Sequence, residues 1–395
     1  MPGVHALLSP SAAKRWMSCP PSARLESKIK DKLGDKSSVY AEEGTLAHAV
    51  SELKLRRENG ELNQFNFEQR MKDLGDIPKE IDRFTDYYVD IVLEKWYAAM
   101  KFCPDAQLVV EQKLDMNDWV PKCFGTSDAI VVSDDVLVVM DFKYGKGVPV
   151  SAEGNPQARL YGLGAINQFG ALYDFEEVHN IIIQPRLDSV TEEVMTRQEL
   201  LDWGKSIKPL AEAAWKGEGE FHTGEHCRFC RAKAICTTRV IEAMSVLSHS
   251  FDAPDTIRDE DIPGILEVLP VAEDWIRDIR AYAQAQAIRG QHWPGFKLVR
   301  GRRPGRQWKN EDDVVDILAR AGYGQDQYAE TRLKSCSEME KMLGRAGFRA
   351  LLGGCVAQGE GHLTLVPESD TRTEYTSSAE AIDDLLDDEE RTNDK

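Results

Sequence analysis

The period of the apolar positions changes several times along the chain. Ile81, Phe84, Tyr88, Ile91 and Trp96 recur at helical spacing, which predicts a long amphipathic helix ending near Lys101. The pattern then changes. Residues 106–114, 124–132 and 136–143 are rich in Val and Ile and are bounded by turn residues, the signature of strands. Ser133-Asp134-Asp135 reads as a short hairpin turn joining the last two. Residues 156–172 return to helical spacing, 178–185 form a further apolar strand, and Thr196 caps a helix that ends near Trp215-Lys216-Gly217. Three strands, a crossover helix and another strand predict a mixed α/β core.

Two helices precede this core. Ser9 caps the first, with Pro10 at its opening position, and it stops at Cys19-Pro20-Pro21. The second begins near Val39 and carries His48, and the polar stretch 56–78 reads as a loop or a weak helix. Beyond residue 240 the pattern is less regular. A helix over 257–289 with a break near Pro263-Gly264, a strand at 296–299 and short helices at 312–321 and 337–346 define an accessory α+β region, 241–367. Residues 368–395 hold eleven acidic and three basic residues and read as a disordered or weakly helical tail.

Composition narrows the class. The chain has 395 residues, 42% hydrophobic and 29% charged, which fits a globular protein and excludes a wholly disordered or fibrous one. No apolar run approaches the length of a membrane span, and the first twenty residues lack a secretory core, so a cytoplasmic protein with no membrane partner is expected. The formal charge of −18 argues against a non-specific DNA-packaging protein while leaving room for a local basic groove.

The candidate chemistry centres on the hairpin. Side chains two apart on a strand share a face, so Asp141 and Lys143 point the same way. A turn centred near Asp134 sets Asp128 opposite Asp141, within one residue of register. Opposed carboxylates on paired strands repel. A divalent cation would remove the penalty, and hard carboxylate oxygens suit Mg²⁺ or Mn²⁺. Lys143 could then hold a water or stabilise charge on a phosphodiester. On geometry alone, a surface Asp128 beside an edge pair of Asp141 and Lys143 accounts for the residues equally well.

Together with their neighbours these residues make a pattern. Gly125-Thr126-Ser127-Asp128, then Asp141-Phe142-Lys143, then Gln157-x-x-x-Tyr161 resembles ordered motifs of the RecB-like branch of the PD-(D/E)XK nucleases. Gly44-Thr45-Leu46-Ala47-His48 upstream resembles that branch's G-x-x-x-H helix. The resemblance covers roughly residues 5–240 and extends to an uncharacterised nuclease branch common in phages and prophages. It implies a restriction-endonuclease-like mixed sheet flanked by helices. It also implies metal ligands His48, Asp128, Asp141 and the carbonyl of Phe142, with Lys143 catalytic and Gln157 and Tyr161 supporting the site. Glu43, Glu52 and Glu111 are further acids nearby in sequence. Glu52 could orient His48 and Glu111 could line the cleft, but a solvated carboxylate explains each more simply.

Eight cysteines in a chain expected to be cytoplasmic point to metal rather than disulfides. Cys227-x₂-Cys230-x₅-Cys236 has ligand spacing, and Cys19, 208 positions upstream of Cys227, is the natural fourth. One N-terminal and three C-terminal cysteines resemble the iron–sulfur sites of AddB and the CRISPR-associated iron–sulfur exonucleases. The resemblance implies a structural [4Fe–4S] cluster stapling the domain over residues 1–240. Zinc, with His222 or His226 in place of Cys19, is the rival.

For DNA contact the candidates are Lys14, Arg15 and Trp16, and a basic run containing Arg302, Arg303 and Arg306 with Phe296 and Trp308 interleaved. The tail reads as an inert solubilising segment, a DNA mimic or a dock for a replication or recombination protein. The resulting expectation is a metal-dependent DNA exonuclease acting on single strands or duplex ends, in replication, recombination or repair. The rivals are a non-catalytic DNA-binding or scaffold protein on a degenerate nuclease fold and a zinc-containing interaction protein.

Overall fold

The computed structural model describes residues 6–33, 39–248, 262–301, 305–328, 333–357, 359, 363–367 and 370–375. The chain divides into two compact units, Met1–Asp278 and Ile279–Lys395.

In the first unit, Ser9 and Pro10 open a single 3-10 turn that leads into α1, Ala13–Ser18. Next come α2, Ser22–Leu33, α3, Val39–Glu58, α4, Gln64–Asp73, and α5, Lys79–Phe102. Of the predicted stripe on α5, Ile81 and Tyr88 are buried, and Phe84, Ile91 and Trp96 pack against the same core partly buried. Lys54 of α3 is buried against it. Its ammonium meets Asp82 at 2.7 Å, Asp86 at 2.6 Å and the Thr85 hydroxyl at 2.9 Å, which fixes α3 on α5.

Five strands form the sheet: β1, Gln107–Asp115, β2, Phe124–Val132, β3, Val136–Phe142, β4, Glu177–Gln184, and β5, Ser189–Thr196, in the order β1-β2-β3-β4-β5. All neighbours are antiparallel except β3 and β4. A parallel pair needs a crossover, and α6, Pro156–Phe169, supplies it. The β2–β3 hairpin turns where expected, and the Ser133 hydroxyl accepts the amide of Val136 at 3.1 Å. α7, Arg197–Lys216, starts in a capping box of Thr196 and Glu199 and ends at Gly217 with φ 78°. α8, Thr237–Ser248, follows the cysteine loop.

Alternation along the strands separates two apolar layers. Ile130, Val132, Leu137 and Val139 pack toward Trp16, Leu160, Leu163 and Leu200 on one face. Ala129, Val131, Val138 and Met140 pack toward Val50, Tyr88 and Val92 on the other. With both faces covered, β2 and β3 read as unbroken apolar runs. The sheet is thus a mostly antiparallel, mixed α/β layer flanked by helices.

The first unit ends within α9, Ile262–Ile288. The break expected at Pro263-Gly264 falls in its first turn, where proline is tolerated; residues 257–261 lie outside the described set. The second unit contains β6, Phe296–Arg300, β7, Gln307–Trp308, α10, Glu311–Arg320, α11, Gln325–Tyr328, α12, Cys336–Leu352, β8, Val356–Ala357, and β9, Leu363–Pro367. β6 pairs with β9 and β7 with β8, around a core that includes Val314, Leu318, Met339 and Phe348. Among the described residues no helix is long and apolar enough to cross a membrane.

Candidate functional site

The pairing of β2 with β3 runs to Ala129 opposite Met140, and one step further sets Asp128 against Asp141. At that step the regular pairing gives way. Oδ2 of Asp128 accepts the amide of Phe142 at 2.7 Å, so the carboxylate replaces a strand partner. Asp141 is only 5% exposed. Its Oδ2 meets Lys143 Nζ at 2.8 Å, an ion pair without good hydrogen-bond geometry.

Gln157 bridges this pair. Its Nε2 donates to Asp141 Oδ1 at 2.8 Å and its Oε1 accepts from Lys143 Nζ at 3.2 Å. The start of α6 places it there. Asn155 caps the helix by accepting the amides of Gln157 and Ala158, and Pro156 sets the first turn. One turn on, Tyr161 is buried against Gly125. A Cβ on that glycine would lie 2.8 Å from Tyr161 Cε1, so the strand passes the ring only because residue 125 has no side chain. Tyr161 therefore wedges β2 from below the site rather than lining an open cleft.

His48 reaches the same place from α3. Its Nδ1 lies 3.1 Å from Asp128 Oδ1, and its ring packs 5.2 Å from that of Phe142. Burial opposes a charge on His48, but the bond to Asp128 and the charges of Asp128, Asp141 and Glu111 outweigh it and raise its pKa. Burial pushes Asp141 up, and Lys143 only partly offsets this. Lys143 is also raised: burial works against its charge, but Asp141 prevails.

Glu111 of β1 is the acid the sequence reading left aside. It has φ 51° inside a strand. Its carboxylate is raised to about 7, first by burial and then by Asp128 and Glu52, against His48 and Arg56. Among the described residues, the group of histidine, cysteine or acid side chains whose ligand atoms gather within 4.8 Å is His48, Glu111 and Asp128. Glu52 does not orient His48, because Arg56 holds it at 2.8 Å. Glu43 pairs with Arg186 at 3.2 Å.

The cysteine region closes the other end of the unit. Cys19 terminates α1, and Cys227 and Cys230 stand in a tight loop in which the Cys230 amide donates to the Cys227 carbonyl at 3.0 Å. Two side chains stitch the loop to the N-terminal helices. Arg15 meets Glu26 at 2.7 Å and donates to the Phe229 carbonyl at 3.2 Å, while Glu26 accepts the Arg231 amide at 2.6 Å. Cys19, Cys227 and Cys236 feel one another electrostatically, as do Cys227 and Cys230. Burial pushes the Cys230 thiol up to about 12, with the charge of Glu26 adding to it. His226 turns its Nε2 to the His222 carbonyl at 2.9 Å.

The proposed DNA contacts divide. Trp16 is completely buried and donates its indole N–H to the Ser9 carbonyl at 3.2 Å, so it is a core residue with no face for a base. Lys14 and Arg15 line a cavity of about 920 Å³ beside Cys227, together with Arg228 and Lys233. Arg302 and Arg303 lie outside the described residues. Arg306 pairs with Glu340 and stacks 5.0 Å over Phe348, and Trp308 packs against the core of the second unit.

A mixed α/β unit with one polar, acid-rich site at the end of its central strands is the class this geometry defines. A family model described as "Protein of unknown function (DUF2800)" matches residues 5–373, and the chain belongs to that family. Among solved structures, the crystal structure of SSO0001 is similar at 19% identity over 54% of this chain and 94% of that one, with a TM-score of 0.22.

Proposed function

We propose that this protein is a metal-dependent deoxyribonuclease, an exonuclease on single strands or duplex ends, working in replication, recombination or repair. The reading rests on the RecB-like motif pattern. The observation that carries it is the convergence of four separate stretches of sequence: His48 meets Asp128, Asp128 accepts the Phe142 amide, and Asp141 beside it is held by Lys143 and Gln157. Opposed buried carboxylates weaken a sheet, so a purely structural site has no use for them.

The donor set fits a hard divalent ion: carboxylate oxygens, one imidazole nitrogen and the Phe142 carbonyl. Bound Mg²⁺ or Mn²⁺ would supply Lewis acidity and a water of lowered pKa. Asp128 and Asp141 hold the negative side of the site in place. Lys143, kept protonated by Asp141, presents its ammonium where charge would grow on a phosphodiester. Gln157 fixes the lysine and the aspartate against each other, so neither must reorganise during the reaction. Lys14, paired with Glu225 at 3.1 Å on the surface, and Arg228 offer cations for a DNA backbone, whereas Arg15 is committed to Glu26.

The cysteines extend the proposal. Cys19, Cys227, Cys230 and Cys236 would hold a [4Fe–4S] cluster of structural role, joining α1 to the loop before α8. Their grouping supports this, and so does their spacing. His226, bonded to a carbonyl, is a poor stand-in for Cys19.

The direct test is digestion of end-labelled single- and double-stranded DNA, blocked at either end, in Mg²⁺ or EDTA. Metal-dependent loss of label is expected. Intact DNA under all conditions would instead favour a non-catalytic DNA-binding or scaffold protein.

A further inference from the structure

The central sheet has two edges, β1 and β5, and they are finished differently. At β1 the outward carbonyls of Ala106, Leu108 and Val110 each accept a side-chain donor, from Trp96 at 2.9 Å, Asn59 at 2.9 Å and Arg56 at 3.2 Å. At the other edge, every residue of β5 from Ser189 to Thr196 has a partner on β4, so no bulge turns the strand away. The Arg197 amide donates to the Glu176 carbonyl at 2.7 Å, and that bond sets the alternation. Ser189, Thr191, Glu193 and Met195 bond inward to β4, while Val190, Glu192 and Val194 turn their amides and carbonyls outward. Among the described residues no other segment bonds to these outward groups.

The side chains of the same three residues are open too. In register Val190 lies beside Ile183 and Glu192 beside Ile181, both in the apolar layer that α5 covers. That layer runs out at β5, where Val190 is 43% and Val194 53% exposed. Unpaired edges invite another strand, and they are ordinarily blunted by lysine, proline or a bulge. β5 has none of these. Its acids carry their own counter-charges: Glu192 meets Lys95 at 3.0 Å and His179 at 2.7 Å, and Glu193 meets Arg159 at 2.6 Å.

We propose that β5 is a docking edge for a second copy of this chain, whose own β5 lies antiparallel to it and joins the two five-stranded sheets into one. The strand's own symmetry names the occupant. Its outward residues, Val190, Glu192 and Val194, read the same in both directions. A two-fold axis at Glu192 therefore sets Val190 of each copy against Val194 of the other. A two-fold contact needs such self-complementarity, and β-branched pairs across strands stabilise a sheet. The axis also sets Glu192 against itself. Bare like charges there would repel, but each Glu192 brings its Lys95, so acids and ammonium groups balance at the centre. In the same step the outward amide of each of the three residues meets the carbonyl of the residue opposite. The contact lies on the edge of the sheet and is independent of the nuclease reading above.

Sedimentation equilibrium of the full chain, joined to amide hydrogen exchange, tests this. The expected mass is twice 44.4 kDa. Val194→Lys places a charge at an exposed edge position and should halve that mass with an unchanged circular dichroism spectrum. Val194→Pro removes an outward amide that β4 does not use, and should act the same way. The amides of Val190 and Glu192 should exchange slowly in the wild type and fast in Val194→Lys, while those of Thr191 and Glu193 stay slow in both. A wild type of 44.4 kDa at every concentration would overturn the proposal. So would a dimer that survives Val194→Lys, or a wild-type dimer whose Val190 and Glu192 amides exchange fast, since either puts the contact elsewhere.

Discussion

Asp128 and Asp141 come together because a short turn joins their strands, whereas Cys19 and Cys227, near enough to feel each other's charge, lie 208 positions apart in sequence. The first site is specified locally: once the hairpin registers, the acids must face each other. The second exists only after α1, α2 and the loop before α8 have docked, and Arg15 and Glu26 bridge that contact. Burial disfavours the charged form of an acid or thiol in both regions. Burial raises Asp141 and Glu111 at one and Cys230 at the other. A local site can thus be lost to a single side chain with the fold intact, while a distributed one should carry fold stability itself.

Lys143→Ala should show the largest effect, a loss of DNA hydrolysis of about a thousandfold in Mg²⁺, with the cysteine chromophore retained. Full activity in this variant would end the mechanism. Cys230→Ala should do the opposite. It should abolish absorbance near about 400 nm and lower stability by about 4–5 kcal/mol on a loop-closure argument. Urea titration reads this, and unchanged colour and midpoint would make the two sites alike. Gly125→Ala tests the wedge beneath the carboxylates. Its Cβ would lie 2.8 Å from Tyr161, and relief of that overlap should cost about 1–3 kcal/mol, seen as a lower melting temperature.

The last expected effect is a pH dependence. Glu111 is raised from 4.5 to about 7 in the folded chain. Folded protein therefore keeps a proton that the unfolded chain releases in this range. This contribution to stability is complete below about pH 4.5 and is lost as pH rises through about 7. Melting of the metal-free protein in EDTA should fall over that window. Asp141 and His48, also raised, act with the same sign. Glu111→Gln should flatten the fall in part, and an identical profile would mean that Glu111 is not buried among the acids.

The elements with strong periodicity were readable in advance. The α5 stripe, the β2–β3 hairpin, the start of α6 at Pro156 and the capped α7 all stand where spacing and turn chemistry put them. β5 was not foreseen. As an edge strand it exposes Val190 and Val194 and half-buries Thr191 and Glu193, so it shows no apolar alternation. α2 was hidden by its lysines. Trp16 misled for a different reason: flanked by Lys14 and Arg15 it resembles a stacking residue, yet the neighbouring turn delivers it to the core. Of the candidate site, the motif residues on β2, β3, α3 and α6 were legible. Glu111 was named as an acid that could line the cleft but set aside, because the backbone twist that turns it toward Asp128 has no sequence signature in a non-glycine residue.

The Arg15–Glu26 clasp has a consequence for biogenesis. On the ribosome Cys19 emerges first and waits for its partners through about 10–40 s of elongation at about 5–20 residues per second. Until then the nascent thiol is unguarded, exposed to oxidants and to scavenging metal. Docking of α1 and α2 must therefore follow translation of the loop before α8, whose Phe229 carbonyl and Arg231 amide are what Arg15 and Glu26 hold.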